Sequence, residues 1–246
     1  MRSVAIIPAR YASTRFPGKP LAVLRGKPVI EHVYSRTSKC ALLERVIVAT
    51  DDKRIFDAVN GFGGEVIMTS PDHPSGSDRM AEVARGLDAD ILVNVQGDEP
   101  FIDPSLIEAV IRPMDHMQAP DIFTVAVPLK DRAEYENPDI VKVVLDVQGR
   151  ALYFSRSSIP YGYEENSLSL KHLGIYAYQR DSLLKFVELP QGELEQLERL
   201  EQLRALENGM SIGVAVVDDY QGVGVDRPED LLEAEDIMAT LENRGT

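Results

Sequence analysis

Val4-Ala5-Ile6-Ile7-Pro8 is a continuous apolar run that opens directly into Ala9-Arg10-Tyr11-Ala12-Ser13-Thr14-Arg15-Phe16-Pro17-Gly18-Lys19-Pro20. Unbroken apolarity is expected of parallel strands covered on both faces. Val- and Ile-rich runs recur at Arg45–Thr50, Glu65–Met68 and Asp90–Val95. Helical patterns lie between them near Pro28–Ser38, Asp52–Asn60 and Gly76–Leu87, and another follows at Pro104–Arg112. Pro28 and Pro104 stand where proline is tolerated, at a helix's first turn. Repeated strand–helix–strand units predict an α/β fold with a parallel, right-handed, three-layer sheet. A chain of 246 residues suits one large domain, or one domain with a smaller lobe.

The second half changes character. Ile122–Val127, Val141–Asp146, Ala151–Arg156 and His172–Tyr178 read as strands with few helices between them, and Asp146–Gly149 reads as a hairpin turn. Tyr161–Ser169 reads as a polar loop. A long helix is expected over Glu193–Asn208, ended by Gly209, then a strand at Ser211–Val217 and a last helix from Pro228. These elements outline a smaller lobe at about 120–210.

Composition narrows the function. The net charge of −14 argues against a general nucleic-acid or membrane-surface binder. The charge is unevenly spread: Arg2, Arg10, Arg15, Lys19, Arg25 and Lys27 precede the first carboxylate, Glu31. A wholly cationic segment on an acidic protein points to a local anion site. Cys40 is the only cysteine, which excludes an internal disulfide and a multi-thiolate site. The four histidines offer no H-x-x-H or H-x-x-x-H pair for zinc. The first apolar stretch is too short for a membrane span or signal core, so a soluble cytoplasmic protein is expected.

Three segments carry chemistry. In an open parallel sheet, ligands bind beyond the carboxyl ends of the strands, and the loop after the first strand is at such an end. Arg10, Arg15 and Lys19 can neutralise a polyphosphate, while Ser13, Thr14 and backbone N–H groups can donate to its oxygens. It is neither a P-loop nor a G-x-G-x-x-G. A solvated basic loop is the plainer alternative, but no acidic partner lies near in sequence. Val95-Gln96-Gly97-Asp98-Glu99-Pro100 places a carboxylate at the end of the fourth strand. Mg²⁺ needs only one or two protein carboxylates when phosphates complete its shell; an Asp opening a turn before Pro100 is the equal alternative. Ser75-Gly76-Ser77-Asp78-Arg79 is both a helix cap and a set of free N–H groups.

Together these residues resemble the bacterial CMP-KDO synthetases (3-deoxy-manno-octulosonate cytidylyltransferases). The matching segments are I-I-P-A-R-Y-A-S-T-R-F-P-G-K-P-L, V-A-T-D-D, S-G-S-D-R, N-V-Q-G-D-E-P, A-L-Y-F-S-R-S-S-I-P, H-L-G-I-Y-A-Y, L-E-Q-L-R-A-L-E-N-G and G-V-D-R-P-E-D. They occur in family order over nearly the whole chain. The resemblance implies a Rossmann-like nucleotidyltransferase fold of the nucleotide-diphospho-sugar transferase type, with a mostly parallel sheet and a smaller sugar-binding and dimerisation lobe. It implies a homodimer that uses CTP, Mg²⁺ and an acidic eight-carbon sugar, KDO, to give CMP-KDO and pyrophosphate for lipopolysaccharide biosynthesis.

By the same resemblance, Arg10, Ser13 and Lys19 belong to the triphosphate loop, and Ser75, Arg79 and Gln96 to the nucleotide site. Asp98 and Asp226 correspond to metal-binding aspartates. His172, Tyr176, Glu198, Glu201 and Gln202 correspond to the sugar site, and Arg15 to a position near both substrates. Arg10, Arg15, Lys19 and Asp98 form the catalytic set.

The residues on the sugar side can also be read directly. Alternation puts His172, Gly174, Tyr176 and Tyr178 on one strand face, which suits a sugar, although the residues alone favour a plain solvent face. Arg156 shares a face with Leu152 and Phe154, as an ion-pair or ligand candidate for which a structural role is expected. In the long helix, Leu194, Leu197, Leu200, Leu203 and Leu206 recur every third residue and drift around the axis. That pattern predicts a largely buried helix, with Glu198 and Gln202 one turn apart in the remaining gap, Glu201 beside Leu194 and Leu197, and Glu195 on a solvated stripe. The stretch Tyr161–Lys171 is shorter than is common in the family, and Gly192-Glu193-Leu194-Glu195 differs from other members. Both leave 8-amino-8-deoxy-KDO open as acceptor. A glycosyltransferase would carry D-x-D where this chain has Gly97-Asp98-Glu99; a non-catalytic CTP sensor would release no pyrophosphate.

Overall fold

The computed structural model describes residues 1–12, 16–116, 119–162, 169–218, 220, 222, 224–225 and 227–244, with side chains as far as 239. Its strands are β1 (Ser3–Ala9), β2 (Val23–Leu24), β3 (Lys27–Pro28), β4 (Arg45–Thr50), β5 (Glu65–Met68), β6 (Ile91–Asn94), β7 (Ile122–Pro128), β8 (Lys142–Leu145), β9 (Ala151–Ser155), β10 (Leu170–Gln179) and β11 (Ile212–Val216). The helices are α1 (Val29–Thr37), α2 (Lys53–Gly61), α3 (Gly76–Arg85), α4 (Pro104–Ile111), α5 (Arg132–Glu136), α6 (Arg180–Glu188), α7 (Glu193–Glu198), α8 (Gln202–Glu207) and α9 (Asp230–Arg244). The chain forms two compact units: Arg2–Ala89 with Asn94–Ile107 and Gln221–Thr246, and Met1 with Asp90–Val93 and Glu108–Tyr220.

In the first unit, β1, β4 and β5 pair in parallel in that order. Ile6 stands beside Ile47, and Val48 beside Val66. Val4, Ala5, Ile6 and Ile7 are all buried, the burial on both faces that their unbroken apolarity predicts. The ends of β4 and β5 are each followed by a capped helix. Asp52 accepts from the Arg54 N–H at 2.8 Å to start α2, and Ser75 accepts from the Asp78 N–H at 3.2 Å to start α3. Such caps satisfy donors that the first helical turn leaves open.

In the second unit, β7 pairs antiparallel with β10 and parallel with β11. The hairpin β8–β9 joins β10 through β8. Its turn is closed by Gly149 N–H donating to Asp146 and Asp146 N–H donating to Arg150. Asp121 gathers the entrance of this unit: its carboxylate accepts from Ser211 N–H and Oγ at 2.9 Å each and from Ser182 Oγ at 3.0 Å. Desolvation alone would raise its pKa, but these bonds together hold it below the ordinary value.

The sequence pattern missed two features here. Helix α6 is present although strands with few helices were expected; Leu183 and Phe186 are its buried face. The single helix expected over Glu193–Asn208 is two helices. Arg199 ends α7 in the left-handed region, at φ 55°. The reason is tertiary. Glu207 accepts from the N–H groups of Leu194 and Glu195, positions that a straight helix would separate by about 20 Å. A Cβ at Gly192 would overlap the Glu207 carboxylate, so a larger residue there would displace that side chain. The expected burial changes accordingly: Leu200 and Leu203 are buried, while Leu197 is 80% exposed.

Candidate active site

Three segments singled out in the sequence converge on Pro8, at the end of β1. A Cβ on Gly97 would lie 2.8 Å from the Pro8 carbonyl oxygen, and one on Gly76 would lie 3.5 Å from Pro8 Cγ. Both Q-G-D-E-P and the N-terminus of α3 therefore pack against the mouth of the basic loop, and Gly97 permits the closer approach. The Val95 N–H also donates to Ile6, at 3.2 Å. Beyond this junction Lys19 Nζ donates to Asp98 Oδ2 at 2.5 Å. Their side chains are 13% and 30% exposed. A loop cation and a strand-end carboxylate 79 positions apart in sequence thus form one charge-assisted contact.

The loop is anchored at its base. Gly18 N–H donates to Tyr11 at 2.8 Å, and the Arg54 guanidinium lies 3.3 Å from the centroid of the Tyr11 ring, well inside cation–π range. Asp52 holds Arg54 at 2.6 Å and lies below the ordinary carboxylate pKa because of that hydrogen bond. Sequence reading did not select Tyr11 or Arg54. An aromatic inside a basic loop is the only signal it offered.

The remaining nucleotide-side residues of this unit are placed as follows. Arg10 and Gln96 are partly buried at the ends of β1 and β6. Ser75 Oγ is held by Asp78, to which it donates at 2.6 Å. Arg79 has a fully buried side chain. It donates to Asp51 at 2.9 Å, to the Thr69 hydroxyl and to the Ser70 carbonyl at 3.3 Å. It therefore ties together the ends of β4 and β5, while its Nε has no hydrogen-bond partner among the described residues. Ser13, Arg15 and Asp226 lie outside the described residues. Val225, the neighbour of Asp226, donates its N–H to the Asp98 carbonyl at 2.8 Å.

The residues that the resemblance assigns to the sugar, apart from Arg15, fall in the second unit. Phe154, His172, Tyr176, Tyr178 and Phe186 form a row of ring contacts with centroid separations of 5.0, 5.4, 6.0 and 6.2 Å. His172 and Tyr176 share a face as alternation predicts, because the β10 irregularity inserts two residues, Gly174 and Ile175, and so preserves parity. The face is a packed aromatic row. Burial pushes the His172 imidazolium down to about 3 and holds the Tyr176 phenol well above its usual value, with Tyr178 and Glu201 adding to the effect. Both rings are therefore neutral at ordinary pH.

Glu198, Glu201 and Gln202 are not on one continuous helix. Glu198, at the end of α7, accepts from Ser155 Oγ at 2.5 Å and Arg156 N–H at 2.9 Å, and from Tyr153 at 3.4 Å. Arg156 donates to the Glu198 and Pro138 carbonyls, so its role is structural. Gln202 is buried at the start of α8, and Glu201 precedes it, partly exposed. Glu195 corrects the expected solvated stripe: it is buried and paired bidentately with Arg204, at 2.8 and 2.6 Å. Lys142 was not anticipated. Fully buried, it donates to the carbonyls of Asn137, Ile140 and Arg156, and desolvation lowers its pKa.

Residues 4–212 match the family described as cytidylyltransferase. The chain is 52% identical over 245 residues to the 3-deoxy-manno-octulosonate cytidylyltransferase of Syntrophotalea carbinolica, covering 96% of this chain and 98% of that one. The chain belongs to the 3-deoxy-manno-octulosonate cytidylyltransferase family. Another member, from Geotalea daltonii, is 48% identical with full coverage of both chains. The structure of CMP:2-keto-3-deoxy-manno-octonic acid synthetase complexed with CTP superposes with a TM-score of 0.93 at 45% identity, covering 98% of this chain and 99% of that one. The 4-diphosphocytidyl-2C-methyl-D-erythritol synthase of Anaerococcus prevotii shares the fold, with a TM-score of 0.64 at 15% identity and coverage of 97% and 98%. The mixed α/β architecture is thus that of the Rossmann-like nucleotidyltransferases. Among the described residues no helix is long and apolar enough to cross a membrane.

Proposed function

We propose that this chain transfers the cytidylyl group of CTP to KDO, giving CMP-KDO and pyrophosphate in lipopolysaccharide biosynthesis. The observation that carries the reading is the Lys19–Asp98 contact at the Pro8 junction, in a chain of this family. In the reaction the anomeric hydroxyl of the sugar attacks the α-phosphorus and pyrophosphate leaves. Transfers of this type depend mainly on positioning and charge neutralisation. Arg10 and Lys19 stabilise the charge that grows on the leaving pyrophosphate. The N-terminus of α3 lies beside Pro8, and the positive end of a helix favours anions. Arg79 acts within this unit by fixing the ends of β4 and β5 relative to that helix.

The residues present fit Mg²⁺. Asp98 offers a partly exposed carboxylate beside a backbone held close by Gly97, and one or two carboxylates suffice when phosphate oxygens supply the other ligands. Asp98 would hold the ion, with Asp226 as the second carboxylate. When bound, Mg²⁺ neutralises phosphate charge and acidifies the attacking hydroxyl. Lys19 neutralises the Asp98 carboxylate at 2.5 Å and would turn to the phosphates once a divalent cation takes its place.

We infer a cytoplasmic homodimer. Exposed Val147, Leu152, Leu194, Leu197 and Val216 of the second unit supply apolar surface of the kind a second copy covers. The test of the activity is release of pyrophosphate from CTP and Mg²⁺ in the presence of KDO, with 8-amino-8-deoxy-KDO run in parallel. Release with KDO is the expected result. CTP binding without any release would identify a sensor, and release with the amino sugar alone would reassign the acceptor.

A further inference from the structure

Thr124 of β7 is fully buried, and its hydroxyl meets three groups. Oγ1 lies 2.7 Å from the Ile175 carbonyl, 3.2 Å from the Leu173 carbonyl and 3.0 Å from His172 Nε2. The two carbonyls flank the point where Gly174 and Ile175 are inserted, between the pairs Leu173–Val125 and Tyr176–Thr124. A carbonyl oxygen can only accept, and a hydroxyl has one proton to donate. That proton goes to a carbonyl, with Ile175 the nearer. The contact with His172 is then a hydrogen bond only if Nε2 is the donor. A neutral imidazole carries a single N–H, so Nδ1 retains its lone pair. Nδ1 has no hydrogen-bond partner among the described residues, and His172 remains partly exposed.

We propose that Thr124 is a positioning residue that locks His172 as the Nε2–H tautomer, so that Nδ1 accepts a hydroxyl proton of the sugar. This rests on the reading that the His172–Tyr176 face of β10 belongs to the sugar side. The arrangement sets a polarity. A sugar hydroxyl meets an acceptor at Nδ1, whereas an ether or keto oxygen there meets another lone pair and is disfavoured. The neighbouring Tyr176 ring, 5.4 Å away between centroids, keeps its phenol proton and can donate. Donor and acceptor thus sit side by side on one face. Thr124 also ties the insertion in β10 to β7, because its hydroxyl donates to a carbonyl at the bulge.

The test uses the full chain labelled with ¹⁵N-histidine. Long-range ¹H–¹⁵N correlations distinguish a protonated from an unprotonated ring nitrogen, and the His172 signals are identified by their loss in His172→Gln. The expected spectrum has Nε2 protonated and Nδ1 bare, with the Nδ1 signal shifted when KDO is added. Thr124→Val should mix the tautomers and raise KM for KDO about tenfold, the worth of about one hydrogen bond, with KM for CTP unchanged. Thr124→Ser should restore both properties. A proton found on Nδ1, or a tautomer unmoved by Thr124→Val, overturns the proposal. Pyrophosphate release from the same sample reports the activity separately. An active enzyme whose Nδ1 signal ignores KDO overturns the acceptor role alone, and an inactive one counts against the activity and the sugar contact together.

Discussion

Removing the Glu195 carboxylate should destabilise the protein far more than its place in a run of surface-like glutamates suggests. Both side chains of the Glu195–Arg204 pair are 7% exposed, and the two hydrogen bonds, at 2.8 and 2.6 Å, form the parallel fork that arginine and carboxylate favour. The guanidinium also lies 5.0 Å from the Phe186 ring centroid. Without Glu195 that buried cation has Glu201 as its next carboxylate among the described residues, at 3.8 Å and about one-third exposed. Breaking such a pair costs about 3–5 kcal/mol, mostly because the surviving charge stays desolvated. Glu195→Ala should therefore lose about 4 kcal/mol, and Glu195→Gln, which keeps one acceptor oxygen, about 2–3 kcal/mol. At about 2–4 °C per kcal/mol for a chain of this size, Tm should fall by about 10–15 °C and about 5–10 °C respectively. Replacing both partners, Glu195→Leu with Arg204→Met, removes both desolvation penalties and should recover most of the loss. Urea denaturation of wild type, the two single variants and the double variant gives the coupling energy directly. Single-variant losses below about 0.5 kcal/mol, the range of ordinary surface changes, would refute the reasoning and return Glu195 to the solvent.

Other outcomes follow from the same geometry. Asp98→Asn should lower kcat by about 100-fold or more with an unchanged unfolding transition; near-normal turnover with Mg²⁺ would remove Asp98 from the metal site. Lys19→Ala should raise KM for CTP by about tenfold through the loss of one charge-assisted hydrogen bond, and unchanged KM and kcat would end its proposed role. Gly97→Ala would press a Cβ to 2.8 Å from the Pro8 carbonyl oxygen, a strain of about 1–3 kcal/mol. It should weaken CTP use before it unfolds the chain, and wild-type kinetics would show that the junction has slack. His172 sets a pH dependence. Its folded pKa, about 3, is below the ordinary value, so between these limits the unfolded chain binds the proton and the folded chain does not. This contribution is complete above about pH 6.5 and declines by about 1.4 kcal/mol per pH unit as pH falls toward 3. His172→Gln should flatten the stability curve over that window, and parallel curves would place the ring in water.

What the sequence made legible follows from the range of the forces involved. The strands Arg45–Thr50 and Glu65–Met68 have the bounds their composition predicts, because a short apolar, β-branched run leaves a purely local signature. The caps at Asp52 and Ser75 are local too. The partnership of Lys19 with Asp98 was legible only as two separate candidates, since nothing in either segment records that Gly97 and Gly76 meet at Pro8. The region after Gly192 shows where local reasoning fails in principle. Its leucine spacing is helical throughout, with no proline or glycine between Glu193 and Asn208, yet Arg199 turns left-handed. Three tertiary contacts impose that turn: Glu207 onto the start of α7, Glu195 onto Arg204, and Glu198 onto β9. A left-handed arginine costs about 1–2 kcal/mol, less than the buried pair alone would lose if it were broken. The break therefore persists because Glu195, which resembled a solvated stripe, joins Glu198 and Glu207 in folding the helix back. Glu198 in turn reaches the Ser155 and Arg156 end of β9, whose Phe154 packs against His172. The same departure from helical pattern that sequence could not foresee thus helps place the ring on which sugar recognition is proposed to depend.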